Sequence, residues 1–267
     1  MCTVVLDFAP GEPMPLLLLG VRDELTGRPW QPPARHWPGS PLVGGLDEQA
    51  GGTWLALDPA GSRVACILNT RGPQAPPGTR RSRGELPLRA AADGRQALHE
   101  LAGQQPVLAR YDPFILVCAD LSAVLVLTWD GRRAALEDLT PGTHVLTNAG
   151  HMYPAPVSDA KVSDAKVSDA KVSDAKAAHF GPKFAAHRPS GDPATTVKDA
   201  WGDWLTLADG DGLSVTDPAA IIARRELPDG RLWGSTSVSL VALGLDGLRY
   251  DFQPVPGDPP AWYPVAL

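Results

Sequence analysis

Residues 3–21, TVVLDFAPGEPMPLLLLGV, decide the fold: two aliphatic runs, TVVLDF and LLLLGV, flank a middle holding three prolines and a glycine. Proline removes a ladder N–H and glycine accepts positive φ, so the middle reads as a turn and the runs as antiparallel strands. A turn centred near Glu12 sets position 2 opposite Arg22, with Asp23 and Glu24 just past the end of the second strand.

The same grammar recurs along the chain. TWLAL, the turn DPAGS and RVACIL form a second hairpin ending at Asn69. FILVCA, LSAVLVLTW and, across Asp130-Gly131, RRAALED form a third, and SVSLVAL, GLDG and LRYDF a fourth. Helical periodicity falls between hairpins: ADGRQALHELAG aligns Ala97, Leu98 and Leu101, and TTVKDAWGDWL aligns Val197, Trp201, Trp204 and Leu205. Asp217-Pro218 has the cap-then-proline order of a short helix running through Ile221 and Ile222. Hairpins with a few interposed helices predict an α+β fold, with helices layered against antiparallel sheet.

With 43% hydrophobic residues in 267, the chain holds enough apolar side chain for a sizeable core. A net charge of -6 argues against nucleic acid and against an acidic membrane surface as partners. The apolar run Leu16 to Val21 is too short to span a bilayer and follows no cationic segment, so the expected location is cytoplasmic, without membrane insertion. Three widely spaced cysteines oppose a disulfide framework and a C-x-x-C metal site; Cys66 and Cys118, inside apolar strands, read as buried and inert.

VSDAK repeats four times without a break over residues 157–176. A five-residue period rotates the valines around a helix and flips them across a strand, so neither element gains one apolar face. We expect a solvated low-complexity insert over about 154–190 within one domain spanning residues 1–267.

Cys2 stands apart by position. Loss of Met1 would leave an α-amine and a thiol on one residue, and an amine with a reference pKa of about 7.7 to 8.0 is partly free to take the thiol proton at neutral pH. Arg22 opposite would favour the thiolate and Asp23 would hold the amine, while carboxamides at the ends of strand-like runs, Asn69 and Asn148, suit an oxyanion.

A set of motifs in one order extends this reading: GVRDE from Gly20, GGLDEQAGGTWLAL at 44–57, ILNTRG at 67–72, SRGELPL at 82–88, HVLTNA at 144–149 and WGSTSVSLVAL at 233–243. Together with the Met-Cys start, they resemble the NRDE-motif family, also called the transport and Golgi organisation protein 2 family, over nearly the whole chain. That family in turn resembles the N-terminal nucleophile hydrolases, which implies an αββα sandwich of two antiparallel sheets between helix layers. It implies Cys2 as nucleophile and base, Arg22 and Asp23 as its support, and Asn69 and Asn148 as polar groups of the pocket. The chain departs from the pattern at Val21, where the name-giving asparagine would stand, and in the VSDAK tract.

Three functions follow as expectations. The first is a cysteine amidohydrolase acting on a small amide without a required cofactor. The second, also implied by the resemblance, is a non-enzymatic haem-trafficking carrier using the same cleft, haem being the bound ligand. His144, His151, His179 and His187 match no zinc spacing, and His144 and His151 read equally as loop residues; Trp30 and Trp37 read as an apolar wall or as ordinary packing. The third is a metabolite-binding domain in which Gly44, Gly45, Gly51 and Gly52 serve only tight turns.

Overall fold

The first hairpin forms in the expected register: β1 (Thr3–Phe8) pairs antiparallel with β2 (Leu16–Leu25), from Thr3 opposite Val21 to Phe8 opposite Leu16. The structure, a computed structural model, describes residues 3–154, 167–255 and 261–267, the side chains of 167–174 excepted. Cys2 and the first two VSDAK repeats therefore lie outside the described residues.

The remaining strands, in chain order, are β3 (Trp30–Ala34), β4 (Val43–Asp47), β5 (Leu55–Asp58), β6 (Arg63–Asn69), β7 (Phe114–Ala119), β8 (Val124–Trp129) and β9 (Ala134–Asp138). They continue as β10 (Gly142–Thr147), β11 (Gly150–Tyr153), β12 (Arg224–Glu226), β13 (Leu232–Leu243), β14 (Leu248–Pro254) and β15 (Tyr263–Pro264). One sheet has the order β11-β10-β1-β2-β13-β14-β15, with β12 also on β13; the other runs β3 through β9 in sequence. Neighbouring strands are antiparallel throughout both.

Alternation sorts side chains between two environments. On β2, Leu16 and Leu18 enter the core between the sheets, with Val4, Leu6 and Phe8 of β1 and Cys66, Leu68 and Val117 of the second sheet. Leu17, Leu19 and Val21 point the other way, beneath the helices α4 (Val167–Ala186), α5 (Val197–Trp201) and α6 (Asp203–Ala208). The outer face of the second sheet is covered by α1 (Glu85–Asp93), α2 (Arg95–Ala102) and α3 (Gln105–Leu108) through Leu86, Ala90, Leu98 and Leu101. The architecture is an α+β sandwich of two antiparallel sheets between helix layers.

Three local expectations change. TTVKDAWGDWL is two short helices, because Gly202 at φ +49° breaks the hydrogen-bond ladder between them, although Trp201 and Trp204 are both fully buried as the spacing predicts. Asp217-Pro218 initiates only a turn, in which Asp217 accepts from Ala219 N at 2.7 Å, and Ile221 is buried without a helix. The insert ends earlier than expected. The last repeats lie in α4, and from Lys176 onward this helix belongs to the core: Ala177, Phe180 and Phe184 recur at helical spacing and are buried on the first sheet. The apolar face is supplied by AAHFGPKFAA, which follows the repeats, so the pentapeptide period does not govern this part of the helix. Lys176, the final residue of the tract, is buried with its Nζ 3.1 Å from Thr3 Oγ1.

No helix among the described residues is long and apolar enough to cross a membrane.

Candidate active site

Arg22 lies on the side of β2 that faces the second sheet, and it is 3% exposed. A guanidinium in that environment needs compensation for lost water. Its Nη1 donates to Thr236 Oγ1 at 2.8 Å, and Thr236 Oγ1 donates to Arg22 O at 3.2 Å. Its Cζ stands 4.5 Å from the centroid of Trp54 and 5.9 Å from that of Trp30, two indoles of the second sheet that meet edge to face. Such stacking contributes about 0.5–2 kcal/mol and holds the fork in one plane. Trp30 packs against the inter-sheet core, as the packing reading expects, and also flanks the cation. Trp37 sits apart, its Nε1 donating to Gly51 O at 3.0 Å.

The neighbouring Asp23 is 5% exposed and accepts from Ser235 Oγ at 2.6 Å. Ser235 Oγ in turn accepts from Ala223 N at 3.0 Å. The β2–β13 ladder shifts register between Ser235 and Ser237, and this bulge lets Ser235 reach Asp23 while Thr236 reaches Arg22. Ser237, opposite Arg22 in the ladder, is 1% exposed and its Oγ has no hydrogen-bond partner among the described residues.

The two asparagines come from different sheets. Asn69 ends β6 with its side chain exposed; Asn148 follows β10 and is half-buried. Thr70 joins them: it follows Asn69 in the chain and its Oγ1 donates to Asn148 O at 2.7 Å. Asn148 Oδ1 is buried and has no hydrogen-bond partner among the described residues. Buried carboxamide oxygens without partners are costly, so this atom marks a polar position that the described residues leave open. Thr147, just before Asn148, pairs with Thr3, which also pairs with Val21, just before Arg22. Arg22 and Asp23 therefore gather with Asn148 around the start of β1, with Asn69 alongside. Asp23 and Glu24 lie within β2 and not past its end as expected, because β13 carries the ladder on to Leu25.

The glycines of GGLDEQAGG do more than turn. A Cβ on Gly44 would overlap Leu55 O, one on Gly45 the Trp54 ring, and one on Gly52 the backbone of Gly84. Only Gly51, at φ +71°, answers to a turn. Gly45→Ala is expected to push Trp54 off Arg22 and to lower stability by about 1–3 kcal/mol, the usual range for overpacking, read as a fall in Tm.

His144 and His151, for which a loop placement was one reading, sit in strands. His144 is on β10, 2% exposed; its Nε2 donates to Thr140 O at 2.7 Å, which leaves Nδ1 to accept from His151 Nε2 at 3.0 Å. His151 on β11 also contacts Glu137 at 3.0 Å through Nδ1. Burial is the main cause holding the His144 pKa below its ordinary 6.5, with the His151 charge adding to it and Thr140 O, Glu137 and Asp7 opposing. A depressed histidine costs nothing above the unfolded pKa and destabilises as pH falls through the folded one. Thermal melts are therefore expected to show Tm dropping below about pH 6.5, with a shallower slope in His144→Gln. His179 and His187 lie elsewhere, the first bonded to Asp211 and the second highly exposed near Asp203.

Spacing gave no warning of Trp54, Thr70, Thr236 or Ser237 as site residues. The one available signal was STS at 235–237, three consecutive hydroxyls inside an otherwise aliphatic strand.

Two antiparallel sheets between helix layers, with a buried arginine and aspartate and a half-buried asparagine converging on the start of the N-terminal strand, define an α+β sandwich protein with a polar site there. The chain belongs to the transport and Golgi organisation 2 family, whose model matches residues 1–177. None of the curated proteins compared with it matches. The matched region holds Arg22, Asp23, Asn69 and Asn148, and it ends before the hydroxyl strand.

Proposed function

We propose that the chain is an N-terminal nucleophile amidohydrolase that cleaves a small amide. The observation that carries this reading is the cross-strand trio Thr3, Val21 and Thr147, because Cys2 immediately precedes Thr3 in the chain while Arg22 and Asn148 immediately follow Val21 and Thr147.

With Met1 removed, the Cys2 amine takes the thiol proton and the thiolate attacks the amide carbon, forming an S–C bond and an oxyanion. Arg22 supplies a fixed positive charge that favours the thiolate, and Asp23, steadied by Ser235, holds the ammonium. A half-turn of the Asn148 carboxamide presents Nδ2 where Oδ1 now stands, giving the oxyanion a donor. As the tetrahedral species collapses, the C–N bond breaks and the ammonium proton goes to the leaving amine. Water then attacks the thioester, releases the acid and restores the thiol.

Selective alkylation tests the activated thiol. Burial pushes Cys66 and Cys118 up to about 12, so both are protected and poorly ionised. Brief iodoacetamide exposure at pH 7, followed by peptide mapping, is expected to show Met1 absent and only Cys2 modified, faster than a free thiol. Retained Met1, or a Cys2 rate equal to that of a free thiol, sinks the reading. The haem-carrier alternative then gains, because it asks for no free amine, and a haem titration decides it.

A further inference from the structure

Arg83 precedes α1 and is half-buried, yet its hydrogen-bond partner is neutral: Nη1 donates to Pro113 O at 2.8 Å. No carboxylate of the described residues pairs with it, because the acids nearest in charge are engaged elsewhere. Asp112 is 3.3 Å from Arg80, and Glu24 is 4.0 Å from Arg28. Burial is the main cause lowering the Arg83 pKa, with Asp112 and Glu24 opposing it and Arg80 and Arg28 adding to it.

Two links set this guanidinium beside the site. Pro113 O also accepts from Thr70 N at 3.2 Å, so Arg83 and the residue joining Asn69 to Asn148 share one acceptor oxygen. On the other side, Gly84 is packed against Gly52 and accepts from Thr53 N at 2.9 Å, and the next residue, Trp54, carries the Arg22 cation. Arg83 therefore stands between the asparagine arm and the arginine arm, and among the described residues its guanidinium donates only to Pro113 O. A planar fork of that kind matches a carboxylate.

We propose that Arg83 binds a carboxylate of the substrate at the mouth of the site, so that the amides accepted are those bearing an acidic group. This rests on the amidohydrolase reading for the word substrate, but the anion site itself is separately testable. The Cys2→Ala protein is titrated calorimetrically with phenylacetylglycine and with its uncharged analogue, phenylacetylglycinamide. The carboxylate is expected to bind about tenfold more tightly, the scale of one charge-assisted pair. Arg83→Met should bring the two ligands within about twofold of each other, and Arg83→Lys, which keeps the charge and loses the fork, should retain only part of the preference. Equal binding of both ligands, binding of neither, or a preference that survives Arg83→Met overturns the proposal. Should Arg83→Met fail to fold, an undiminished preference in Arg83→Lys does so. Because Cys2→Ala performs no chemistry, an Arg83-dependent preference in a protein that hydrolyses no amide would remove the hydrolase reading and leave the anion site standing.

Discussion

Cys2→Ala is expected to lower amide turnover by about 10⁴-fold or more, because removal of a nucleophile in a coupled catalytic unit removes nearly all of that unit's effect. The same substitution should leave Tm within about 2 °C, since most surface or terminal changes alter stability by less than about 0.5 kcal/mol. Cys2→Ser tests a different link: a hydroxyl is far less acidic than a thiol, so a small residual rate is expected where alanine gives none. One extra residue ahead of Cys2 should reproduce the alanine result without touching the thiol, because it converts the amine to an amide with no basic lone pair. Full turnover in that extended protein would rule out the shared amine and thiol. Retention of haem or another ligand by Cys2→Ala, with no turnover in the wild type, would favour the carrier.

Arg22→Met is expected to cut kcat by about 10²–10³-fold, the loss usually seen when one preorganised electrostatic group is removed. Stability should fall as well, by about 1–3 kcal/mol, since the fork leaves Thr236 Oγ1 without its donor and the indoles without their cation. Stability and chemistry separate through the thiol itself. Without the guanidinium the Cys2 thiolate is less favoured, so the pH profile of its alkylation should move upward, which a purely structural role would not produce. Arg22→Lys is not expected to rescue the rate. An ammonium neither stacks flat on Trp54 nor holds the guanidinium geometry at Thr236. An unmoved alkylation profile in Arg22→Met would make Arg22 a packing residue only.

Much of the fold was legible because its signals are local. The β1–β2 register follows from two apolar runs and a proline-rich turn, and the observed pairing of Thr3 with Val21 is the one those features predict. The hairpins through Asn69, through Asp138 and through Phe252 were read from the same alternation, and α2 from the spacing of Ala97, Leu98 and Leu101. The misjudged parts have non-local causes. The stretch from the pentapeptide tract onward, read as a solvated insert, is a helix whose buried face of Phe180 and Phe184 finds its cover only on the first sheet, and the helix expected after Asp217 lost to a turn that buries Ile221.

The site divides in the same way. Sequence by itself determined that Asn69 and Asn148 stand at strand ends and that Arg22 and Asp23 fall level with the start of the first strand, although β2 runs on past both of them to Leu25. Only the tertiary structure decided that Arg22 meets Thr236 across 214 residues, that Thr70 ties Asn148 across 78, and that Trp54 and Arg83 flank the arrangement. Period-two alternation and turn chemistry act between near neighbours and leave their mark in a short window. Contacts between stacked sheets depend on how two whole surfaces interdigitate, and no short window contains both of them.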